Sequence, residues 1–347
     1  MIQKNTDIHE FAYAVGLVRA LENNLLSENE MERMLLAKTP EEALRILNET
    51  DFGRNLDPST KPEDFQKVLD KNYLEFKEKM IACVPDKRIL NILWMEYDFH
   101  NIKTMLKAKL MGKSFEDIEA ILSKLGKINI LHLKDYIFDG VNNEWGIYPK
   151  TEEYIKKRII SAKNLFLKIG NPQVIDLFLD QKLMKVIFGK AQDSKSEFLV
   201  TYIRKLIDLN NIRLFFRMQI TGKDIQMFEY GFLWNGTIPW EKMRDSYSQG
   251  LSSFVENMKN TSYGKIVSEG MKKYEEENTL IFLEKDIENH LIDYIKGASL
   301  ITFGPEPIIA YLLAKKNNAF IVRMIMVNKL NKIPPEEIKE RLRILYR

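Results

Sequence analysis

Asp98-Phe-His-Asn-Ile-Lys-Thr-Met-Leu-Lys-Ala-Lys-Leu-Met-Gly-Lys113 recurs further along the chain as Asp208-Leu-Asn-Asn-Ile-Arg-Leu-Phe-Phe-Arg-Met-Gln-Ile-Thr-Gly-Lys223. Between the two copies an aspartate, an Asn-Ile pair, two basic residues and a closing Gly-Lys recur in register. Self-similarity at a fixed distance is typical of repeat architectures. The two stretches therefore predict a duplicated structural unit.

Both copies have the apolar spacing of an amphipathic α-helix. Apolar residues occupy positions i, i+3, i+4 and i+8 counted from Ile102 in the first copy and from Ile212 in the second. This spacing places them on one helix face, which we expect to be buried. Gly112 and Gly222 stand where a helix C-cap favours positive φ, so they are predicted to end the two helices.

Two basic residues lie off the apolar face of each copy, four positions apart. They are Lys103, Lys107, Arg213 and Arg217. Side chains at i and i+4 are neighbours on a helix, so each copy is predicted to carry a basic stripe. One interpretation pairs the stripes with Asp98, Asp208 and other surface acids, each pair worth about 0–1 kcal/mol. The other interpretation is contact with an acidic partner protein.

A weaker third copy appears when Leu206–Asn211 is aligned with Leu313–Asn318. In this alignment Asn328-Lys329 replaces the closing Gly-Lys after a slip of one residue. Arg323 then falls opposite the second basic residue of each earlier copy. We therefore add Arg323 to the predicted partner-facing basic residues.

The chain length supports more than one domain. At 347 residues it exceeds the size of about 250–300 residues at which single cores stop growing. Units of roughly 105–110 residues are each large enough for a small domain, and the expected division is 1–113, 114–224 and 225–347. Strand-type alternation of apolar and polar residues is scarce, which predicts an all-α fold of three similar helical domains.

Composition indicates a folded protein with no strong overall charge. Hydrophobic residues make up 45%, charged residues 29% and aromatic residues 11% of the sequence, which argues against disorder. Lys and Arg number 52 against 49 Asp and Glu, for a formal net charge of +3. No global positive field is available for nucleic acid, so any basic surface is local.

Several features predict a cytoplasmic location. Cys83 is the one cysteine, which excludes an internal disulfide and a thiol-based zinc site and suits a reducing compartment. Met1–Glu10 has neither the basic nor the apolar region of an export signal. Apolar runs such as Ile308–Ala314 fall short of the roughly 18 residues that a membrane-spanning helix needs.

Gly112-Lys113-Ser114 matches the end of a phosphate-binding P-loop, but the rest of that motif is missing. The motif requires a glycine five positions before Gly112, where the sequence has Lys107 inside a predicted helix. Gly222-Lys223-Asp224 stands at the matching place in the second copy. We interpret both Gly-Lys pairs as helix endings.

No other pattern indicates catalysis or metal binding. The four histidines are dispersed without a His-Glu-x-x-His pattern; they are His9, His100, His132 and His290. A Gly-x-Ser-x-Gly nucleophile motif is absent from the sequence. Catalytic residues, metal sites and cofactors are therefore expected to be none.

Five stretches, in their order and spacing, resemble the C subunit of the V-type (archaeal or bacterial A/V-type) ATPase/ATP synthase, equivalent to the d subunit of the vacuolar proton pump. The resemblance spans almost the whole chain. The stretches are Phe11–Leu21, Asp98–Lys103, Asp208–Arg213, Phe303–Lys315 and Pro335–Leu342.

The resemblance implies three similar all-helical domains that form a funnel with approximate threefold symmetry. It also implies a non-catalytic rotor adaptor on the cytoplasmic side of the membrane, which joins the proteolipid ring to the central shaft. A protein in this role is expected to bind neither nucleic acid nor a small-molecule substrate, and to have no membrane-spanning segment. Two departures concern the third domain: Asn317-Asn318-Ala319 stands where the family is expected to have an acid, and Asn328 stands where glycine is usual.

Two other functions remain open. A free-standing helical-repeat scaffold would be a stable monomer that never co-purifies with a proteolipid ring or a shaft. A nucleotide-dependent enzyme would rest on Gly112-Lys113-Ser114 and would lose ATP binding on Lys113→Ala.

Overall fold

The computed structural model describes residues 8–57 and 59–347, and across them the chain is helical with no β-strand. Residues 1–7, which carry most of the segment assessed for an export signal, lie outside the described residues. The chain forms two compact units, one from Met1–Lys87 with Lys259–Arg347 (unit 1) and one from Arg88–Met258 (unit 2). The all-α class is confirmed, whereas the division into 1–113, 114–224 and 225–347 stays a prediction.

Sixteen α-helices cover most of the described residues. The first eight are α1 Ala12–Glu22, α2 Glu28–Leu36, α3 Pro40–Leu47, α4 Phe65–Cys83, α5 Lys87–Leu110, α6 Ile130–Lys134, α7 Pro149–Ile169 and α8 Gln173–Asp193. The others are α9 Glu197–Ile220, α10 Ile225–Gly231, α11 Trp240–Gln249, α12 Leu251–Met258, α13 Gly264–Glu277, α14 Ile281–Lys296, α15 Glu306–Leu330 and α16 Pro335–Arg341. Short 3-10 segments occupy Ile8–Phe11, Asp51–Asn55, Pro62–Asp64, Glu119–Ile121 and Gly297–Leu300.

Two helices start at capping residues that are recognisable in the sequence. Ser27 Oγ accepts from the Glu30 amide at 3.2 Å, and the Glu30 carboxylate accepts from the Ser27 amide at 2.8 Å, which forms a complete capping box at the start of α2. At the start of α3, Thr39 caps the Glu42 amide, while the Glu42 carboxylate accepts from the amide of the preceding Lys38.

Two helical segments are notably continuous. Helix α5 runs unbroken from Lys87 to Leu110. Helix α6 continues into one π-helical turn at Asp135–Asp139. Gly140, at φ +75°, ends that turn.

The repeated aspartate and asparagine on α5 hold the loop that leads into α6. Asp98 Oδ1 accepts from the amides of Lys127 and Ile128 at 2.7 and 2.8 Å. One turn later, Asn101 exchanges two hydrogen bonds with the backbone of Ser123, each 2.8 Å long. Both side chains are buried. We call this arrangement a clasp.

The second copy forms the same clasp on α9. Asp208 Oδ1 accepts from the amides of Thr237 and Ile238 at 2.8 and 3.0 Å, and its Oδ2 accepts from Thr237 Oγ1 at 2.6 Å. Asn211 exchanges two bonds of 2.8 Å with the backbone of Leu233. Because the spacings along the chain match those of the first clasp, the repeat encodes a local structure in which one helix fixes the following loop.

A glycine in each clasped loop permits the close approach of the aspartate. A Cβ atom on Gly126 would lie 2.4 Å from Asp98 Oδ1, and one on Gly236 would lie 2.2 Å from Asp208 Oδ1. Both distances are far below van der Waals contact. Each loop therefore requires a residue without a side chain at this position.

The end of α15 corrects the sequence alignment of the third copy. Helices α5, α9 and α15 end at Leu110, Ile220 and Leu330, so the three helix ends are evenly spaced along the chain. In each case the second residue beyond the helix has positive φ; these residues are Gly112 at 72°, Gly222 at 62° and Lys332 at 58°. Asn328 lies inside α15 and donates its side-chain amide to Met324 O, so the prediction that Asn328-Lys329 ends this helix is wrong.

In this corrected register Asn318 takes the place of Asp98 and Asp208. The Asn318 amide oxygen accepts from the Leu26 amide at 2.6 Å and its nitrogen donates to Ala314 O at 3.3 Å. Leu26 immediately precedes Ser27, the N-cap of α2. In the same way, Ile128 immediately precedes the N-cap of α6 and Ile238 immediately precedes the N-cap of α11. The third clasp therefore joins α15 to a loop near the start of the chain, which explains why unit 1 combines two distant parts of the sequence.

Candidate partner interface

Lys103 and Lys107 on α5 form ion pairs with acids on α8 within unit 2. Lys103 Nζ lies 2.6 Å from Asp180 Oδ1, and Lys107 Nζ lies 2.9 Å from both carboxylate oxygens of Asp176. Both pairs have a spacing of four residues, so one turn of α5 faces one turn of α8. The lysine side chains are 21% and 33% exposed. The expected pairing with acids is present, but Asp98 belongs to a clasp and is not the partner.

The carboxyl group of Asp180 is the electrostatically perturbed member of this group. Burial raises its pKa above the usual value for aspartate and the negative charge of Asp176 adds to the rise, while Lys103 opposes it. The ion pair with Lys103 thus offsets only part of the cost of partly burying this carboxyl group, whose side chain is 47% exposed.

Arg213 and Arg217 on α9 are placed differently. Arg213 is half-buried and its Nη1 donates to Asn210 Oδ1 on the same helix at 2.9 Å. Arg217 lies one turn further on and is exposed. Of the two basic residues in the second copy, Arg217 is therefore the more accessible to another protein.

Arg323 is exposed on α15 in unit 1, where its Nε donates to Gln66 Oε1 at 2.7 Å. In the corrected register it corresponds to Lys103 and Arg213, because each lies seven residues before the last residue of its helix. The earlier alignment with Lys107 and Arg217 is therefore wrong. The five basic residues lie on three helices, and their role as a partner interface stays a prediction.

An exposed apolar tip in unit 1 is a feature that the sequence patterns did not indicate. Leu300 is 88% exposed at the end of a short 3-10 segment. Arg19 on α1 fixes this segment, because its Nη2 donates to three backbone carbonyls, those of Ala298 at 2.8 Å, Ser299 at 3.2 Å and Ile301 at 2.8 Å. A large apolar side chain thus stands in solvent on a segment that three hydrogen bonds tie to α1.

The clasps are the second feature that we missed, although their residues were visible in the repeat. The aspartate, the asparagine and the glycine of the following loop recur at matching positions in both copies. We assigned the aspartates to surface pairing, whereas Asp98 is 4% exposed and Asp208 is fully buried. The shared glycine was the available signal that the aspartates contact a loop.

The Gly-Lys pairs end helices, as predicted. Gly112 is left-handed, and the Lys113 amide donates back to Ala108 O at 2.9 Å. The second copy repeats this bond between the Lys223 amide and Met218 O at 2.9 Å. A P-loop has the opposite arrangement, because its glycines lead into the N-terminus of a helix.

Residues 8–57 and 59–347 contain neither a cluster of metal ligands nor a helix suited to a bilayer. Within these residues no three His, Cys, Asp or Glu side chains converge as metal ligands. None of the described helices combines the length and the apolar character needed to cross a bilayer. The side chain of His9 lies outside the part of the chain that the structure describes.

Comparison with known proteins gives a consistent result along the whole chain. Residues 14–341 match the model of the ATP synthase (C/AC39) subunit family. The C subunit of the A-type ATP synthase of Methanocaldococcus jannaschii is 25% identical, over 97% of this chain and 87% of its own length. The C subunit of the V-type sodium ATPase of Enterococcus hirae is 23% identical, over 95% of this chain and 97% of its own length. The C subunit of the A-type ATP synthase of Methanococcoides burtonii is 25% identical, over 96% and 94%.

These matches confirm the resemblance that the sequence motifs indicated. The family model spans all three copies of the repeated helix, and the relatives align along nearly their entire lengths. The chain belongs to the ATP synthase (C/AC39) subunit family.

Proposed function

We propose that this protein is a non-catalytic central-stalk subunit of a V-type rotary ATPase/ATP synthase. It acts as a socket that joins the membrane proteolipid ring to the central shaft and transmits rotation for ion transport. It associates with the cytoplasmic side of the membrane through the complex. The observation that carries this proposal is the family match over residues 14–341, together with relatives named as C subunits of A-type and V-type enzymes.

The clasps supply the stiffness that torque transmission needs. A part that passes rotation between two others loses efficiency if its helices shift under load. In each clasp the buried Asp or Asn side chain ties a long helix to the loop that starts the next helix in space. Breaking such a link leaves buried polar groups without a hydrogen-bond partner, which costs folding free energy. The helices are thereby coupled through short hydrogen bonds in addition to apolar packing.

The contact surfaces of this socket follow from the exposure of the candidate residues. Arg217 and Arg323 are exposed, so they are the basic residues that we assign to an acidic partner surface. Leu300, held outward by Arg19, supplies an apolar contact of the kind that stable interfaces place at their centre. Lys103 and Lys107 contribute chiefly to the internal pairing of α5 with α8.

The first test is recovery of partners from native membranes. Tagged wild type, an Arg217→Glu/Arg323→Glu variant and a Leu300→Asp variant are purified, and the bound proteins are identified by mass spectrometry. We expect wild type to recover ring and shaft subunits and both variants to recover less, at unchanged melting temperature. Lys265→Glu is the matched control, because Lys265 is an exposed helical cation with a side chain 84% exposed and a loose ion pair of 3.9 Å.

The outcomes separate the alternatives. Recovery of neither ring nor shaft by wild type would contradict the socket and favour a free-standing scaffold. Equal recovery by all variants would remove the assigned surfaces while leaving the socket in place. ATPase activity of the isolated wild type that is lost on Lys113→Ala would contradict the non-catalytic role.

A charge exchange tests the role of Lys107 separately. Lys107→Asp and Asp176→Lys are combined, which restores an opposite-charge pair between α5 and α8 in reverse orientation. If the lysine acts inside unit 2, the double variant recovers both stability and partner binding relative to Lys107→Asp alone. Recovery of stability without partner binding would assign Lys107 to the interface instead.

A further inference from the structure

Helix α7 in unit 2 has two apolar faces, of which only one is buried. The buried face consists of Ile155, Ile159 and Ala162, and α7 packs against α8. Ile160 and Leu167 are instead 53% and 65% exposed. These two residues are seven positions apart, which is about two helical turns and about 10.5 Å along the axis, so they line up on the same side. The solvent-facing side of α7 thus carries an apolar ridge.

Two exposed lysines flank this ridge on opposite sides. At about 100° per residue, Lys163 lies about 60° to one side of Ile160 and Lys168 lies about 100° to the other side of Leu167. Across residues 8–57 and 59–347 no carboxylate forms an ion pair with either lysine. The sequence 154–170 contains no Asp or Glu. The second half of α7 therefore presents an apolar ridge between two unpaired cations.

The energetics of the isolated helix explain only part of this arrangement. Lys168 lies in the last turn of α7, where a cation interacts favourably with the helix dipole. Lys163 lies further from the helix end and gains little from the dipole. Ile160 and Leu167 bury little surface within this chain, and large apolar side chains that line up in solvent are typical of a contact site.

A cleft of about 650 Å³ continues the apolar surface beyond Ile160, because Ile147 lines the cleft together with Ile160. The two carboxylates of α7 that line it, Glu152 and Glu153, are paired with lysines of the same helix at 2.7 and 2.6 Å. Glu144, on the preceding loop, also lines the cleft and is exposed. The charge that is free to attract an acidic partner therefore lies along the second half of α7, away from Glu144.

We propose that this face of α7 docks an acidic amphipathic α-helix of a partner protein. The docking surface consists of Ile160, Lys163, Leu167 and Lys168. A helix lying along the ridge places its apolar side chains against the isoleucine and the leucine, and its carboxylates beside the two lysines. An apolar seam with charges on both sides is the usual pattern of paired helices.

Two other occupants fit this surface less well. A second copy of the same face would bring lysines against lysines, and like charges repel. A helix that lies on a bilayer has a broad apolar face of about 100° or more, whereas this ridge is one side chain wide. The inference does not depend on the proposed rotor function, because it specifies the chemistry of the bound helix and not the protein to which that helix belongs.

Photo-crosslinking in the cells that produce the protein tests the proposal. The photoreactive residue p-benzoylphenylalanine replaces Ile160 or Leu167 in the full chain, the cells are irradiated, and the crosslinked peptides are identified by mass spectrometry. We expect both positions to crosslink to one helical segment of another protein that carries several Asp or Glu residues. The same replacement at Leu36 is the matched control, because Leu36 is 68% exposed but ends α2, a helix rich in glutamate, and it should not reach that segment.

Neutralising the lysines tests the role of charge. Lys163→Gln/Lys168→Gln in the chain with the probe at Leu167 should lower the yield of the crosslink roughly threefold or more, the effect of losing two exposed ion pairs. Lys265→Gln/Lys272→Gln removes two exposed lysines from α13, each in a loose ion pair of 3.9 Å, and should leave the yield unchanged. In lysates, raising sodium chloride from about 0.1 M to about 1 M shortens the Debye length from about 10 Å to about 3 Å and should also lower the yield. Melting temperatures of the purified variants verify that they fold.

The identity of the crosslinked species decides between the occupants. Crosslinks to a second copy of this chain, to lipid, or to a segment without acidic residues would overturn the proposal. Absence of crosslinks from both positions would overturn it as well. A yield that is unchanged in Lys163→Gln/Lys168→Gln would show that the lysines do not contact the partner, which is equally incompatible with the proposed surface.

Discussion

Replacement of Asp208 by alanine is the most direct test of the clasp. In wild type the buried carboxylate accepts from the Ile238 amide, from the Thr237 amide and from the Thr237 hydroxyl. The Ile238 amide is buried, so loss of its acceptor costs about 1–3 kcal/mol. The Thr237 residue is exposed, and loss of its net hydrogen bond costs about 0.5–1.5 kcal/mol. We expect Asp208→Ala to lower the free energy of unfolding by about 2–4 kcal/mol.

Asp208→Asn separates the hydrogen bonds from the charge. The asparagine keeps one oxygen for the Ile238 and Thr237 amides, and the Thr237 hydroxyl can rotate to accept from the new nitrogen. The third clasp uses Asn318 in this way. The expected loss is therefore smaller, about 1 kcal/mol, on the scale of one net hydrogen bond.

The assay combines urea unfolding with hydrogen–deuterium exchange of peptides covering residues 232–239. The exchange readout is local, so it should rise strongly for Asp208→Ala and weakly for Asp208→Asn. Asp245→Ala is the control, because Asp245 is exposed and pairs with the adjacent Arg244, and it should stay within about 0.5 kcal/mol of wild type. A loss below about 1 kcal/mol for Asp208→Ala, or unchanged exchange in the loop, would refute the structural role of the clasp.

Three further predictions concern other sites. Lys315→Met should lower the stability of unit 1 by about 3 kcal/mol in urea unfolding, because Lys315 is 1% exposed and its loss leaves Asp51 without its buried cation. An Asp51→Asn/Lys315→Met double variant that is no more stable than Lys315→Met would contradict this. Gly222→Ala should lower the free energy of unfolding by about 1 kcal/mol and Lys332→Gly should raise it by a similar amount, since both positions have positive φ. Thermal unfolding that shows both variants stabilised, or both destabilised, would contradict the helix-end assignment. The raised pKa of Asp180 means that the native state keeps its proton to higher pH than the unfolded state, so the stability it contributes is present at acid pH and lost as pH rises through the native pKa. Asp180→Asn should remove the decline in stability that sets in as pH rises above the ordinary aspartate pKa of about 3.9, measured by urea titrations at a series of pH values, and an unchanged slope would contradict it.

The sequence predicted those features whose causes lie within a few residues. The ends of α5 and α9 follow from Gly112 and Gly222, because a left-handed C-cap is a local requirement. The third helix end was misplaced because Lys332, which is not a glycine, adopts the same conformation. Because Asn328-Lys329 resembles the Gly-Lys pattern, we aligned it with the ends of the first two copies. The true end of α15 lies at the position that even spacing of the three helix ends predicts.

The features that the sequence did not reveal depend on which helices pack together. Lys103 and Lys107 have the same spacing as Asp180 and Asp176, but only the packing of α5 against α8 makes them partners. Tertiary pairing of this kind is not encoded in local periodicity.

The third clasp shows how a weakened repeat is compensated by its surroundings. Asn318 has no charge, so it binds the Leu26 amide less strongly than an aspartate would. The end of α1, directly before the loop it holds, is fixed as well, because the buried carboxylate of Glu22 accepts from Arg19 at 2.9 Å and from Arg347 at 3.1 Å. These ion pairs join the start of the chain to its last residue, and the side chain of Glu22 is fully buried. Removal of Glu22 should therefore loosen the third clasp, measured as faster hydrogen exchange at the Leu26 amide, while the first two clasps, which have a charged aspartate at their centre, keep their protection.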